Sequence, residues 1–172
     1  MEMSERVQNF GHNGIILRAR NNEVLSPELI RQRIPAVFAE EKHSSRSEKY
    51  SYISTFTLLD EMAKEGFLPA EVRQGGTRNE EKRNFTKHMI RFRSQTDVAL
   101  KINDSFPEIV LINSHDGTSA YEVLSGWLRL VCLNGMVVSE ASGPSIKIPH
   151  RGKVDDVIEA SHGTISIKKW FL

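Results

Sequence analysis

The amino-acid sequence predicts a single α+β domain over residues 1–172, with an antiparallel-rich β-sheet and two main helices packed on it. Three observations predict this fold class. The length of 172 residues suits one compact domain. No repeat or Pro/Gly/Ser-rich linker divides the chain. Short β-favouring runs alternate with two apolar runs at helical spacing, in a composition of 39% hydrophobic and 26% charged residues that is ordinary for a globular protein.

The first elements are predicted to be a strand over residues 14–20 and a short helix that begins after Ser26. The serine supplies an N-cap hydroxyl, and the proline and glutamate that follow it suit the first turn of a helix. We expect this helix to stop at Ile34, because Pro35 follows.

Residues 40–49 are rich in charge and serine and hold almost nothing to bury, so they are predicted to form a mobile surface loop. A main helix then begins, capped by Ser54 or Thr55, with Leu58, Leu59, Met62 and Ala63 at helical spacing. Its end is predicted at Gly66.

A β-hairpin is predicted next, from residues 67–74 and 85–94, with a long polar loop over residues 75–84. In the second strand, alternate side chains beginning with His88 are largely apolar, whereas those beginning with Lys87 are mainly basic. We therefore expect one face of this hairpin to lie on the core and the other to be an exposed basic surface.

Residues 108–113 form a continuous apolar run typical of an interior strand. The second main helix is predicted over residues 119–132, because apolar side chains recur there at helical spacing. Asn134-Gly135 between two apolar runs is also a strong hairpin signal, so this boundary stays open. The tail is predicted to hold a strand at 146–148, a helix at 154–160 and a strand at 164–170.

Composition excludes several classes of protein. The single cysteine, Cys132, excludes a disulfide framework and is expected to be a buried hydrophobe. No signal peptide or membrane-spanning run is recognisable, so we expect a cytoplasmic protein with no membrane partner. The net charge of +1 supplies no global attraction to nucleic acid, so any basic site has to be local.

A local basic site is predicted on the hairpin, because cations neutralise phosphates and aromatic rings stack on unpaired bases. The candidate nucleic-acid-binding residues are Arg73, Arg78, Lys82, Arg83, Lys87, Arg91 and Arg93, with Tyr50 and Tyr52 nearby in sequence. Three glutamates, Glu71, Glu80 and Glu81, dilute this set. The alternative is an ordinary solvated strand face or protection of an edge strand.

The segment from Asn113 to Gly117 is the most reactive in composition, since His115 and Asp116 are suited to acid/base work or metal binding. A structural interpretation is favoured: Asn113 and Asp116 form side-chain turns, Gly117 adopts positive φ, and Asp116 or Thr118 caps the following helix. The six histidines lack metal-ligand spacing and no phosphate-binding loop or nucleophile elbow is present, so no catalytic residue, metal or cofactor is predicted.

Several segments together resemble a known family. They are residues 50–55 (Tyr-Ser-Tyr-Ile-Ser-Thr), 87–93, 113–117 (Asn-Ser-His-Asp-Gly), 129–138 (Arg-Leu-Val-Cys-Leu-Asn-Gly-Met-Val-Val) and 150–152. In order and spacing they resemble the phage- and plasmid-borne family of unknown function nine-three-two, over about residues 30–160. The resemblance implies a mobile-element setting and supplies no established catalytic residues. Members usually continue well beyond the His150-Arg151-Gly152 segment, so this chain resembles a C-terminally shortened member.

Three functional hypotheses follow. The first is a non-catalytic accessory of a phage, prophage or plasmid that contacts single-stranded DNA through the basic hairpin, in annealing or recombination. The second is an anti-defence inhibitor of the anti-CRISPR type, which binds a host protein complex and blocks its nucleic-acid site. The third is an enzyme centred on His115 and Asp116, which lacks an accompanying nucleophile or cofactor motif.

Overall fold

The computed structural model describes residues 6–10, 14–20, 23–94, 106–130 and 137–151. Seven strands form one antiparallel sheet, in which each strand pairs with the next along the chain. The strands are β1 (Arg6–Phe10), β2 (Gly14–Arg18), β3 (Phe67–Gln74), β4 (His88–Ser94), β5 (Phe106–Asn113), β6 (Tyr121–Leu130) and β7 (Val137–Ile148). The helices are α1 (Pro27–Arg33) and α2 (Thr55–Lys64), with 3-10 helices at Pro35–Phe38 and Glu80–Phe85. The predicted α+β class is confirmed.

Both α-helices begin and end where the sequence predicts. The hydroxyl of Ser26 accepts from the Leu29 amide at 3.2 Å and caps α1. Helix α1 ends at Arg33, two residues before Pro35. The hydroxyl of Ser54 accepts from the Thr57 amide at 3.2 Å and caps α2. Gly66 follows α2 with a φ of 86°, the left-handed conformation that glycine adopts without strain.

The main core lies between one face of the sheet and the two α-helices. Alternate residues of the central strands point into it, and helix α2 contributes Leu58, Leu59 and Met62. The opposite face of the central strands is also buried, around Met89 and Val110. The sheet is therefore covered on both sides in its middle, which removes the simple apolar/polar alternation from its strands.

The predicted hairpin is confirmed as β3 and β4, and the predicted interior strand is β5, which lies between β4 and β6. The segment 40–49 lacks helix and strand, as expected. It does have something to bury, because His43 is only 7% exposed and its amide donates to the His115 carbonyl at 2.7 Å.

The predicted helix over residues 119–132 is wrong, because residues 121–130 form strand β6. The pairing of β6 with β5 is regular, so successive residues of β6 alternate between the two faces of the sheet. Val123 faces the main core while Leu124 packs on the opposite face. Because both faces of the sheet are covered there, neighbouring residues of the strand are both apolar, and this pattern was mistaken for helical spacing. Helix α1 takes the place of the second main helix.

The open alternative, a hairpin around Asn134-Gly135, agrees with the antiparallel pairing of Leu130 with Val137. Strand β7 includes the predicted strand at 146–148, and β1 was not predicted because its sequence, RVQNF, is short and largely polar. The predictions for Cys132, for the helix at 154–160 and for the strand at 164–170 lie outside the described residues.

Candidate functional site

The predicted basic face of the hairpin is divided between buried and exposed residues. Arg73 and Arg91 are 3% and 7% exposed, so the prediction of an exposed cationic face is wrong for these two. Arg93 is partly buried, with a side chain that is 26% exposed. The physical reason is ion pairing with two buried glutamates, Glu71 and Glu108.

Strand register places the charges of this network side by side. Arg18 on β2, Glu71 on β3 and Arg91 on β4 are consecutive partners across three strands. The Arg18 Nε donates to Glu71 Oε2 at 2.7 Å, and Arg73 Nε donates to the other oxygen of the same carboxylate. Burial raises the pKa of Glu71, but the surrounding guanidinium groups, Arg91 first among them, outweigh burial and leave that pKa below its ordinary value.

Glu108 is the second centre of the network and is fully buried. Its Oε2 accepts from Arg91 Nε at 2.7 Å and from Arg91 Nη2 at 2.6 Å, and its Oε1 accepts from Arg93 Nε at 2.8 Å. Two arginines of the predicted DNA-binding set are therefore held by one internal carboxylate. Their role in the fold is structural.

The remaining cations of the set lie on or beside the loop between β3 and β4. Arg78, Arg83 and Lys87 are exposed and Lys82 is half-buried. Arg83 Nη2 pairs with Glu80 at 2.9 Å on the surface, where such a pair contributes little. The exposed part of the predicted basic surface is thus one loop at the end of the hairpin.

Tyr50 and Tyr52 do not lie on a free stacking surface. The Tyr50 hydroxyl donates to the Ser114 carbonyl at 2.8 Å, and its ring stacks on His150 at 4.6 Å. The Tyr52 hydroxyl donates to the Ala39 carbonyl at 2.6 Å. Burial raises the pKa of Tyr50 to about 12. Both tyrosines fasten the segment before α2 to the rest of the fold.

Three histidines, His88, His115 and His150, meet beneath these tyrosines. The His88 and His115 rings are 5.2 Å apart, and the Tyr52 ring is 5.2 Å from His115. His150 Nδ1 donates to the Ser51 carbonyl at 2.8 Å. In the sequence, His115 lies 27 positions after His88 and 35 positions before His150, so the three histidines were interpreted as scattered. They become neighbours only in the folded sheet.

His88 belongs to a closed chain of hydrogen bonds. Its Nδ1 donates to the Thr86 carbonyl at 2.9 Å, so its Nε2 accepts from the Thr55 hydroxyl at 2.7 Å. The Thr55 oxygen in turn accepts from Asn113 Nδ2 at 2.9 Å. Burial lowers the pKa of His88 to about 4, so the ring is neutral at pH 7.

His115 differs from His88, because neither of its buried ring nitrogens forms a hydrogen bond of normal length and angle. Burial, followed by the proximity of His88 and His150, lowers the pKa of His115 to about 3, and the nearby backbone of Ala36 offsets only part of this. Burial also lowers the pKa of His150. An uncharged ring with no exposed surface is poorly suited to act as a general base near pH 7.

The rest of the Asn113–Gly117 segment forms the predicted side-chain turns. Asn113 Oδ1 accepts from the Ser114 amide at 2.9 Å, and Asp116 Oδ1 accepts from the Thr118 amide at 3.0 Å. Gly117 has the expected positive φ, 82°. The predicted helix-capping role of Asp116 or Thr118 is wrong, because strand β6 follows instead of a helix. No group of three potential metal ligands occurs among the described residues.

Beside the histidines lies an open cavity of about 860 Å³, here named the lateral groove. It lies between the segment 40–52 and the second 3-10 helix. Its ring-bearing lining residues are His43, Tyr50, Tyr52 and Phe85, and its carboxylates are Glu40, Glu41, Glu48 and Glu81. A second cavity of about 660 Å³ shares Glu40, Glu41 and Phe85 with it. Sequence reasoning missed this groove, because the segment 40–49 was assigned no fixed structure.

The sheet, its internal charge network and the lateral groove define the class: an α+β protein built on a seven-stranded antiparallel meander. Residues 42–170 match the family described as a domain of unknown function, DUF932, and the chain belongs to this family. The resemblance predicted from the sequence motifs is confirmed, over a range shifted from the expected 30–160.

Two curated relatives come from Escherichia coli strain K12. The chain is 42% identical over 166 residues to the UPF0380 protein YfjQ and, over the same length, to the UPF0380 protein YafZ. Each alignment covers 96% of this chain and 58% of the relative, so the chain spans just over half the length of these proteins. No solved structure matches significantly. No helix in the described part of the chain is long and apolar enough to cross a membrane.

Proposed function

We propose that the protein is a non-catalytic binding protein that contacts single-stranded DNA through the loop between β3 and β4. One observation carries the proposal: Arg78, Lys82 and Lys87 lie on or beside the one loop that joins β3 to β4 and form no ion pair with a described residue. Cations without an internal partner are free to neutralise phosphates. With Arg83, the loop sets four cations against the two carboxylates of Glu80 and Glu81.

The division of the arginines sharpens this proposal. Since Arg73 and Arg91 are engaged by buried carboxylates, DNA contact is assigned to the loop and withdrawn from the strand faces. A local positive charge is required, because the net charge of the whole chain is only +1.

The absence of a catalytic role in this proposal is supported by the histidine site. His115 is buried, and Asp116 is engaged by its own turn through Thr118. The Thr55 hydroxyl that bonds His88 is also fully buried, so it cannot reach a substrate in this state. The Asp116 carboxylate and the Thr55 hydroxyl complete internal hydrogen bonds, and the His115 ring is enclosed, which supports a role other than catalysis.

The test is fluorescence-anisotropy titration of the full chain with a labelled oligothymidylate across a salt series. The variant Arg78→Ala/Lys87→Ala removes two exposed cations from the loop. Each phosphate contact on a single strand contributes about 0.7 to the slope of the logarithm of the binding constant against the logarithm of the salt concentration. If each of the two cations contacts one phosphate, the slope should therefore become shallower by about 1.4. The matched control is Arg20→Ala/Arg33→Ala, which removes two exposed cations elsewhere and should leave the slope unchanged.

Substitution of Arg91 and Arg93 is unsuitable for this test, because it would leave Glu108 buried without partners and damage the fold. Absence of binding at low salt, or an equal loss in both double variants, would refute the loop as a DNA contact. The anti-defence hypothesis would then be the one to pursue, by pull-down of host defence complexes.

A further inference from the structure

The lateral groove carries four carboxylates that the fold itself does not neutralise. Glu40, Glu41, Glu48 and Glu81 are exposed and form no ion pair with a described residue. Glu40 lies close enough to Tyr52 to contribute, after burial, to raising the pKa of that phenol. Carboxylates gathered around one cavity repel phosphate, so this groove is not part of the proposed DNA contact.

Two cations also line the groove, but neutral groups hold them. Lys42 Nζ donates to the Ser47 carbonyl at 2.8 Å. Arg46 Nε donates to the Ser45 hydroxyl at 3.4 Å. Its guanidinium lies directly against Gly117, so closely that a Cβ added to this glycine would be 2.6 Å from Nη1. The groove therefore keeps an excess of negative charge, with four carboxylates against two cations.

The ring-bearing lining adds a second feature that a cation recognises. Both tyrosine hydroxyls are already engaged with backbone carbonyls, so Tyr50 and Tyr52 offer the groove mainly ring surface. The same chemistry occurs within the molecule in the adjoining cavity, where the Arg31 guanidinium lies 4.2 Å from the centre of the Phe38 ring.

His43 supplies an independent observation that points to a ligand. It lines the groove and is more than nine-tenths buried. Its Nδ1 accepts from the Ser45 amide at 3.1 Å, so in the neutral ring the proton is on Nε2. That Nε2–H has no acceptor among the described residues. A ring that is held in place by its other nitrogen and presents this free donor to the groove suits the carbonyl of a bound peptide.

We propose that the lateral groove binds a basic peptide segment of a partner protein, with an arginine or lysine side chain between the carboxylates and the aromatic rings and a peptide carbonyl on His43 Nε2. The volume of about 860 Å³ is within the range that encloses a ligand of one or two side chains. Arginine fits better than lysine, because its planar guanidinium both stacks on rings and bonds carboxylates in pairs.

The experiment uses the full chain and a fluorescein-labelled peptide of alternating arginine and glycine. The variant Glu40→Gln/Glu48→Gln removes two unpaired charges from the groove and is expected to weaken binding about tenfold, as for two partly exposed charge pairs. Glu23→Gln/Glu28→Gln is the matched control, since it removes two exposed charges elsewhere. It should leave the dissociation constant within about twofold of the wild-type value.

A second peptide, with citrulline in place of arginine, keeps the shape and removes the charge, so its binding should be lost. Equal weakening by the groove variant and its control, or unchanged binding of the citrulline peptide, would overturn the proposal. So would the absence of arginine-peptide binding at low salt. Because this assay and the DNA assay use different ligands and different residues, either proposal can fail while the other stands.

Discussion

The buried histidines predict a loss of stability in mild acid. The ordinary pKa of 6.5 describes each ring in the unfolded chain, and burial lowers the folded values to about 4 for His88 and about 3 for His115. Between these limits the unfolded chain binds more protons than the folded protein. The free energy of unfolding therefore falls as the pH falls through 6.5, and the loss continues until the folded pKa is reached.

The magnitude follows from the size of these differences. For His88, the lowering of the pKa from 6.5 to about 4 corresponds to about 3 kcal/mol when fully developed, and the larger lowering for His115, from 6.5 to about 3, corresponds to about 5 kcal/mol. At pH 5.5 each of the two rings should add a slope of about 1.2 kcal/mol per pH unit. Glu71, whose pKa is lowered from 4.5, contributes stability that is lost at lower pH, so measurements between pH 5 and 7 mainly report the histidines.

The assay is urea unfolding followed by circular dichroism at half-unit steps from pH 7 to pH 5. His115→Phe should reduce the slope by about 1 kcal/mol per pH unit. It should also leave stability at pH 7 unchanged or raised, because neither nitrogen of His115 has a partner to lose. His88→Phe should reduce the slope too, but at a cost of about 1–3 kcal/mol, since Thr55 and the Thr86 carbonyl lose their bonds.

Two results would refute this reasoning. A free energy of unfolding that stays flat between pH 7 and 5 would mean that the folded rings titrate as they do in the unfolded chain. Strong destabilisation by His115→Phe at pH 7, equal to that of His88→Phe, would mean that the His115 nitrogens have partners in solution.

Two further predictions concern the charge network and the turn before β6. Glu108→Gln should lower the free energy of unfolding, measured by urea titration, by about 3–5 kcal/mol, because it leaves Arg91 and Arg93 with an uncharged partner. The control Glu80→Gln breaks an exposed ion pair and should lower the free energy of unfolding by at most about 1 kcal/mol. Gly117→Ala and Gly66→Ala should each cost the roughly 1–2 kcal/mol of backbone strain expected at a positive φ, because the Arg46 side chain that the new methyl at position 117 would meet can move aside; unchanged melting temperatures in both variants would contradict this.

Elements marked by local chemistry were predictable from the sequence. Ser26 and Ser54 cap α1 and α2, and Gly66 ends α2, because the bonds that fix these ends lie within a few residues. Strand β3 was predicted with its observed bounds for a similar reason, as it is a β-favouring run bounded by glycines. Capping hydroxyls and flexible glycines act locally, so local sequence suffices to find them.

The central strands could not be predicted in the same way. A sheet with one covered face alternates in polarity, but here both faces are buried, and the outer layer combines Met89 and Val110 with ion-paired arginines. The local sequence around an arginine with nearby glutamates does not reveal whether that arginine is solvated or buried. Only the strand register, which pairs Glu71 with Arg91 and Glu108 with Arg93, distinguishes the two cases.

The candidate sites were predicted in part for the same reason. The loop cations lie close together in sequence, so a basic segment could be predicted there, whereas the lateral groove takes its lining from two distant segments. The sign that a groove lay there was weak: a charged segment that also contains His43 and is followed by two tyrosines. Burial of that histidine depends on His115 and Phe85, which no short window of sequence contains.

The meander also bears on the order in which the fold forms. Every strand pairs with the next strand along the chain, so the sheet from β3 to β7 can grow by adding one hairpin at a time, whereas β2 and β3 pair across 53 residues or more. The bonds from Tyr50 to Ser114 and from His150 to Ser51 span 64 and 99 residues. Closing such loops costs more chain entropy than adding a hairpin, so the histidine site and the wall of the lateral groove should be completed after β3 to β7 have paired and, in hydrogen exchange, should open before the central strands.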